Sequence, residues 1–169
     1  PQPVANFSTT SVCQGTATAY TDLSTPTGSI TAWAWDFTNN GSIDNVTNAP
    51  TNIYPTSGTF TTGLIVTDNN TCKDTIKLAV DVWGHTIPNF TPDKVCFGTA
   101  SLFTNLTDET TNPNVGTGTT YVWDFADASG TTTIVNPSHT YTLGGNANAT
   151  YNVTLTATSL HNCVDVTVK

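Results

Sequence analysis

Apolar and polar residues alternate along several short stretches of this chain. The pattern is plainest in TTGLIVTD, residues 61–68, and in TYNVTLTAT, residues 150–158. Successive side chains of a β-strand point to opposite faces of its sheet. One face of these strands, predicted to face a core, carries Leu64, Val66, Val153, Leu155 and Ala157, and the threonines are predicted to point the other way.

Similar stretches recur through the first half of the chain, separated by Gly, Asn, Asp and Pro. Threonine is abundant, Arg and Met are absent, and Glu109 is the single glutamate, a composition that favours strands over helices. Short strands about 8 to 12 residues apart are typical of a β-sandwich. The fold class is predicted to be all-β, with first-half strands at residues 5–8, 16–22, 31–36, 51–54, 58–67 and 75–82.

The sequence also repeats itself. VANFSTTSVCQGTATAYTDLS, from Val4, returns as IPNFTPDKVCFGTASLFTNLT, from Ile87, and each copy contains one Trp-Asp-Phe triplet. A repeat of this length indicates a duplicated structural unit. The chain is predicted to contain two tandem β-sandwich domains, residues 1–84 and 85–169, the second ending inside its last strand.

The aromatic residues of each triplet lie two positions apart and so share one face of a strand. Trp35 and Phe37 in the first copy, and Trp123 and Phe125 in the second, are predicted to form the two cores. Trp83 closes the last predicted strand of the first copy, directly before the junction. Two roles stay open for Trp83: packing between the domains, and ordinary core packing.

Charge excludes two classes of partner. The net charge is −8 at pH 7 and the chain has four lysines and no arginine, so it offers no basic surface for phosphate groups. Nucleic acid and anionic lipid are therefore not expected as partners. No apolar run approaches the length of about 18 residues that spans a bilayer, and membrane insertion is not expected either.

Four cysteines occur, one near the start and one near the last hairpin of each copy. Three pairings are possible, and a duplicated unit makes Cys13–Cys72 with Cys96–Cys163 the most economical. Each loop would contribute about 4 kcal/mol on the chain-entropy account. Because disulfides persist outside the reducing cytosol, they predict an extracellular or cell-surface location. A cysteine metal site is disfavoured, since no CxxC motif is present.

The motifs WAWDFTNNGSID, NAPTNIYPTSGTFTTGLIVTD, YVWDFADASG and VNPSHTY resemble the polycystic kidney disease (PKD) domain, and the resemblance covers nearly the whole chain as two copies. It implies an immunoglobulin-like sandwich that acts as a spacer or interaction module. It extends to domains of large exported surface proteins of Bacteroidetes-type bacteria. The partners so implied are other domains of the same long polypeptide and a surface protein or polysaccharide ligand.

Nothing in the sequence predicts catalysis. His85, His139 and His161 lie in no recognisable nucleophile motif, and His139 is predicted to have a turn or packing role. The aspartates after each Trp-Asp-Phe triplet lack a second acidic cluster for glycoside hydrolysis. The protein is predicted not to be an enzyme and to require no cofactor.

One loop raises the question of calcium. DFTNNGSID, residues 36–44, has the spacing of a calcium loop, but Thr47 stands where such loops carry a bidentate Glu. Any site would be weak, with a Kd of about 10⁻⁴ to 10⁻³ M. The alternative is a turn whose side chains bond their own backbone, and it is favoured more strongly in the second copy, which lacks a return carboxylate. The candidate ligands are Asp36, Thr38, Asn40, the Ser42 carbonyl and Asp44.

The sequence thus predicts a non-catalytic structural spacer and adhesion or protein-interaction module of a large exported cell-surface protein. The alternative is a carbohydrate-binding accessory module of a secreted hydrolase such as a protease, chitinase or cellulase. That alternative would be favoured by an exposed, coplanar pair of aromatic side chains.

Overall fold

The computed structural model describes residues 2–142 and 149–169. It divides into two compact units, residues 1–84 and 85–169. The described residues form strands and no helix, which confirms the all-β prediction. No described segment forms a helix with the length and apolar character needed to cross a membrane.

The first domain consists of two sheets. One has three strands in the order β1-β3-β5, and the other has four in the order β2-β7-β6-β4. All neighbours are antiparallel except β2 and β7, which run parallel. The strands are β1 (Phe7–Thr9), β2 (Val12–Cys13), β3 (Ala17–Asp22), β4 (Ile30–Asp36), β5 (Thr51–Ile53), β6 (Gly58–Asp68) and β7 (Lys73–Trp83).

The second domain also has one three-stranded and one four-stranded sheet in its described residues, but the fourth strand lies at the other edge of its sheet. A three-stranded sheet has the order β12-β9-β8, and a four-stranded sheet has the order β11-β10-β13-β14. Every pair in these sheets is antiparallel. The strands are β8 (Phe90–Pro92), β9 (Ser101–Asn105), β10 (Thr120–Asp124), β11 (Thr131–Thr132), β12 (Ser138–His139), β13 (Thr154–Thr158) and β14 (Val164–Val168).

Each domain is organised around the tryptophan of its triplet. Trp35 and Trp123 are both 0% exposed. The ring of Phe7 meets Trp35 edge-on, with centroids 5.1 Å apart and planes at 72°, and Phe90 meets Trp123 with the same distance and angle. Edge-to-face pairs of this kind contribute about 0.5–1.5 kcal/mol beyond their buried area. Phe37 and Phe125 are buried as well, so both aromatic residues of each triplet lie in a core.

Thr62 contradicts the prediction that the threonines of this stretch point away from the core. Leu64 and Val66 face the core, but Thr62 on the same face of β6 is also 0% exposed. Its Oγ1 donates to the carbonyl of Phe37 at 3.1 Å and hydrogen-bonds the hydroxyls of Tyr20 at 3.2 Å and Tyr54 at 3.1 Å. The two tyrosine hydroxyls also bond each other at 2.6 Å. A buried hydroxyl with partners is tolerated in a core, so this threonine points inward.

The predicted pair Cys13–Cys72 is wrong. Cys13 pairs with Trp83 at the end of β7, whereas Cys72 directly precedes Lys73 at its start. The eleven residues of β7 span on the order of 35 Å at the rise of a β-strand. A disulfide needs Cα atoms within about 7 Å, and Cys72 is an exposed free cysteine, whereas Cys13 is disulfide-bonded.

The predicted pair Cys96–Cys163 is wrong for the same reason. Cys163 directly precedes Val164 at the start of β14 and is disulfide-bonded. Cys96 lines one cavity together with Lys169, which follows the other end of that strand. The two ends are about 20 Å apart at the rise of a β-strand. Cys96 is an exposed free cysteine.

Candidate functional site

The turn after β4 is held by the side chain that begins it. The carboxylate of Asp36 accepts hydrogen bonds from the backbone amides of Thr38 at 3.3 Å, Asn40 at 3.1 Å and Gly41 at 2.7 Å. Gly41 has a φ of 89°, a conformation that glycine adopts without a steric penalty. Partial desolvation acts to raise the pKa of Asp36, but the backbone amides outweigh it and the pKa is lowered.

The other candidate calcium ligands also serve this turn. The carboxylate of Asp44 accepts the Phe37 amide at 2.7 Å, and the Asp44 amide donates to the carbonyl of Trp35 at 2.7 Å. The Asn40 side chain accepts the Ser42 amide at 2.8 Å. The described residues contain no group of three or more His, Cys, Asp or Glu placed to hold a metal ion. This geometry matches the alternative of a turn whose side chains hydrogen-bond its own backbone. Calcium binding at these residues stays a prediction.

In the corresponding turn of the second domain, Asp127 contacts His139 of β12. His139 Nε2 lies 2.7 Å from Asp127 Oδ2, and the two side chains are 14% and 5% exposed. The imidazole stacks on Phe125 with centroids 4.1 Å apart and planes at 3°. Burial acts to raise the pKa of Asp127, but hydrogen bonds from Ser129 and His139 lower it overall. His139 thus packs against the core, within the turn or packing role that its sequence context predicts.

His85 also contacts an aspartate. Its Nδ1 lies 2.8 Å from Asp165 Oδ2, with both side chains 26% exposed, and its carbonyl accepts the side-chain amide of Asn112 at 2.9 Å. No serine or cysteine nucleophile appears among these contacts. The contact between His85 and Asp165 links the start of the second domain to β14.

The tryptophans do not form an exposed binding platform in the described residues. Trp33 is half-buried and its Nε1 donates to Asp22 at 2.6 Å. Trp83 is half-buried at the end of β7, and its predicted packing between the domains stays a prediction. Tyr141 and Tyr151 stack at 4.1 Å and are half-buried. Among the described residues, Phe97 is the one exposed aromatic residue, with 52% of its surface accessible. These residues therefore contain no exposed coplanar aromatic pair.

The same turn recurs at two Asn-x-Thr triplets of the sequence. Asn45-Val46-Thr47 and Asn105-Leu106-Thr107 match the pattern of N-glycosylation acceptors. In the structure each asparagine Oδ1 accepts its own threonine amide, at 2.8 Å for Thr47 and 2.9 Å for Thr107, together with the threonine hydroxyl. The sequence spacing indicates this turn, because Asn and Asp side chains commonly accept a hydrogen bond from the backbone amide two residues later. Asp22 with Ser24 and Asp108 with Thr110 repeat it.

Comparison with known proteins gives a family for both halves. The sequence model described as "PKD domain" matches residues 1–82 and 87–169. A comparison with curated proteins finds no match.

Solved structures of PKD domains are similar to half of the chain. The PKD1 domain of Vibrio anguillarum Epp is 29% identical, with a TM-score of 0.42, over 48% of this chain and 94% of that one. The PKD1 domain of the Vibrio cholerae metalloprotease PrtV is also 29% identical, with a TM-score of 0.41, over 48% and 98%. The Clostridium thermocellum CbhA fibronectin(III)-like modules are 5% identical, with a TM-score of 0.46, over 96% and 91%. Since the family match extends over nearly every residue, the chain belongs to the PKD domain family and consists of two tandem copies.

Proposed function

We propose that this pair of PKD domains is a non-catalytic structural module that spaces or presents other parts of a large exported cell-surface protein and takes part in adhesion or protein interaction. The observation that carries the proposal is that the aspartate and histidine side chains best suited to catalysis are engaged in contacts within the fold. Asp36 accepts three backbone amides of its turn, and His139 is stacked on the core and paired with Asp127. These groups stabilise the fold and are not free to attack or protonate a substrate.

The cysteines support an exported location. Cys13 and Cys163 are disulfide-bonded, and such bonds persist in oxidising compartments. The surface is acidic, with a net charge of −8, so steering toward phosphate-bearing partners does not occur. The partners we propose are other domains of the same polypeptide and a surface protein or polysaccharide.

The location is tested with antibodies raised against this two-domain chain. Intact cells that produce the parent protein should bind the antibody as strongly as permeabilised cells do, and brief protease treatment of intact cells should remove the signal. Labelling that appears only after permeabilisation would place the domains inside the cell and reject the proposal. The described residues contain no exposed coplanar aromatic pair, so nothing among them favours the alternative of a carbohydrate-binding accessory module of a secreted hydrolase.

A further inference from the structure

The turn after β4 contains the single Asn-Gly pair of the sequence, Asn40-Gly41. Asparagine is a chemically labile residue, because the backbone nitrogen that follows it can attack the carbon of its side-chain amide and close a succinimide ring. Glycine has no Cβ to shield that nitrogen. Asn40, Gly41 and Ser42 are all exposed, so water reaches the atoms that react.

The side-chain carbonyl of Asn40 is positioned for this attack. Its Oδ1 accepts the backbone amide of Ser42 at 2.8 Å, and this bond closes a ring of atoms that contains the Gly41 nitrogen. A donor on a carbonyl oxygen stabilises the negative charge that develops there when a nucleophile adds to the carbon. The turn therefore activates the side-chain amide that the Gly41 nitrogen would attack.

Two other asparagines make the same bond but are followed by larger residues. The Oδ1 atoms of Asn45 and Asn105 each accept the backbone amide two residues later, at 2.8 and 2.9 Å. The residues that follow them are Val46 and Leu106, whose side chains crowd the nitrogen that would attack. Asn40 is therefore the one of these three asparagines with an activated side chain and an unshielded nitrogen.

Asp36 opposes the reaction at Asn40. Its Oδ2 accepts the Gly41 amide at 2.7 Å. The pKa of Asp36 is lowered from its ordinary value, so this carboxylate is charged at neutral pH. The Gly41 nitrogen has to lose its proton before it attacks, and a neighbouring negative charge disfavours that loss. The hydrogen bond to Asp36 also has to break, because the nitrogen of a succinimide carries no hydrogen.

We propose that Asn40 is a self-modification site whose rate of conversion is set by the carboxylate of Asp36. Once released from Asp36, the Gly41 nitrogen gives its proton to hydroxide and forms a bond to Cγ of Asn40. The Cγ–Nδ2 bond breaks, and Nδ2 takes a proton from water and leaves as ammonia. Water then opens the succinimide, at Cγ to give aspartate or at the backbone carbonyl to give isoaspartate. No electrons are exchanged with an oxidant or reductant.

The products change the turn. Either one adds a negative charge at residue 40, close to the carboxylate of Asp36, which accepts the amide of residue 40 at 3.1 Å. Isoaspartate also lengthens the backbone by one methylene group between Asp36 and Asp44. We therefore expect the converted first domain to melt at a lower temperature. This chemistry belongs to one turn and does not depend on the proposed role or location of the module.

The test follows the whole chain in mildly alkaline buffer, with peptide mapping that separates asparagine, aspartate and isoaspartate at residue 40. Asp36→Ala should speed the conversion of Asn40 about tenfold, because the attacking nitrogen loses a charged hydrogen-bond acceptor. Asp36→Asn retains an acceptor without the charge and should give a smaller acceleration. Unchanged or slower conversion in Asp36→Ala would overturn the proposal. Conversion of Asn45 or Asn105 as fast as that of Asn40 in the unaltered chain would also overturn it.

Two control variants separate the contact with Asp36 from other causes. Asp124→Ala removes the aligned aspartate of the second domain, whose carboxylate accepts the Ala126 amide at 2.9 Å, and should leave the conversion of Asn40 unchanged. Val80→Ala makes a cavity in the first core and should speed the conversion much less than Asp36→Ala. Equal acceleration by Val80→Ala would show that the reaction proceeds through unfolding of the domain, and the role of Asp36 would be refuted.

Discussion

Cys13 and Cys72 lie next to opposite ends of β7. Cys13 pairs with Trp83, the last residue of β7, and Cys72 directly precedes Lys73, the first. A disulfide between Cys13 and Cys72 is therefore excluded by distance, although the spacing of the cysteines along the chain makes this pair the simplest choice.

The first prediction concerns the thiols. Without reductant, the native chain should react with a thiol reagent at two residues, Cys72 and Cys96. Cys72→Ser should leave the free energy of unfolding unchanged, whereas Cys13→Ser should lower it by about 2–4 kcal/mol. Peptide mapping that finds Cys13 linked to Cys72, or equal destabilisation by the two variants, would contradict this assignment.

The long hairpin and the core aromatics were accessible from the sequence because their alternation extends over many residues. Strand β2 was not, since its two residues show no period and it pairs with Val82 and Trp83, some seventy positions later. The polarity of Thr62 predicts a side chain that faces solvent. Its hydroxyl instead points inward, because its hydrogen-bond partners lie in the core. The pairing of His139 with Asp127 likewise depends on a loop contact that spacing does not encode.

The second prediction tests the hydroxyl cluster of the first core. Tyr20→Phe and Thr62→Val should each lower the free energy of unfolding by about 1 kcal/mol, because each leaves buried partners short of a hydrogen bond. The second domain carries Phe103 and Val153 at the aligned positions. The double variant should therefore lose less than the sum of the single losses in urea unfolding. Strict additivity would show that the hydroxyls do not act together.

The third prediction concerns acid. The pKa of Asp36 and that of Asp127 are both lowered in the folded chain, the first by backbone amides and the second by Ser129 and His139. A carboxyl with a lowered folded pKa binds fewer protons when folded, so its contribution is complete above the unfolded pKa of about 3.9 and is lost as pH falls through the folded value. Unfolding followed between about pH 5 and pH 2 should show a smaller pH dependence for Asp36→Asn than for the unaltered chain. Identical slopes would mean that this turn does not hold the charged carboxylate.

The fourth prediction concerns calcium. Both carboxylates of the loop already accept backbone amides, so we expect the melting temperature to be the same in millimolar calcium and in chelator. Asp44→Asn retains an acceptor for the Phe37 amide and serves as the control. A rise with calcium that disappears in Asp44→Asn would establish the weak site that the loop spacing predicts.

The role of the domain pair is tested most directly in the cells that make the parent protein. Residues 1–169 are deleted in frame, and attachment of the cells is measured per molecule of parent protein displayed on the surface. As the proposed module supports adhesion or presentation, attachment should fall while the amount displayed is unchanged. Unchanged attachment, or the loss of an enzymatic activity that returns when the isolated two-domain chain is added, would contradict the account.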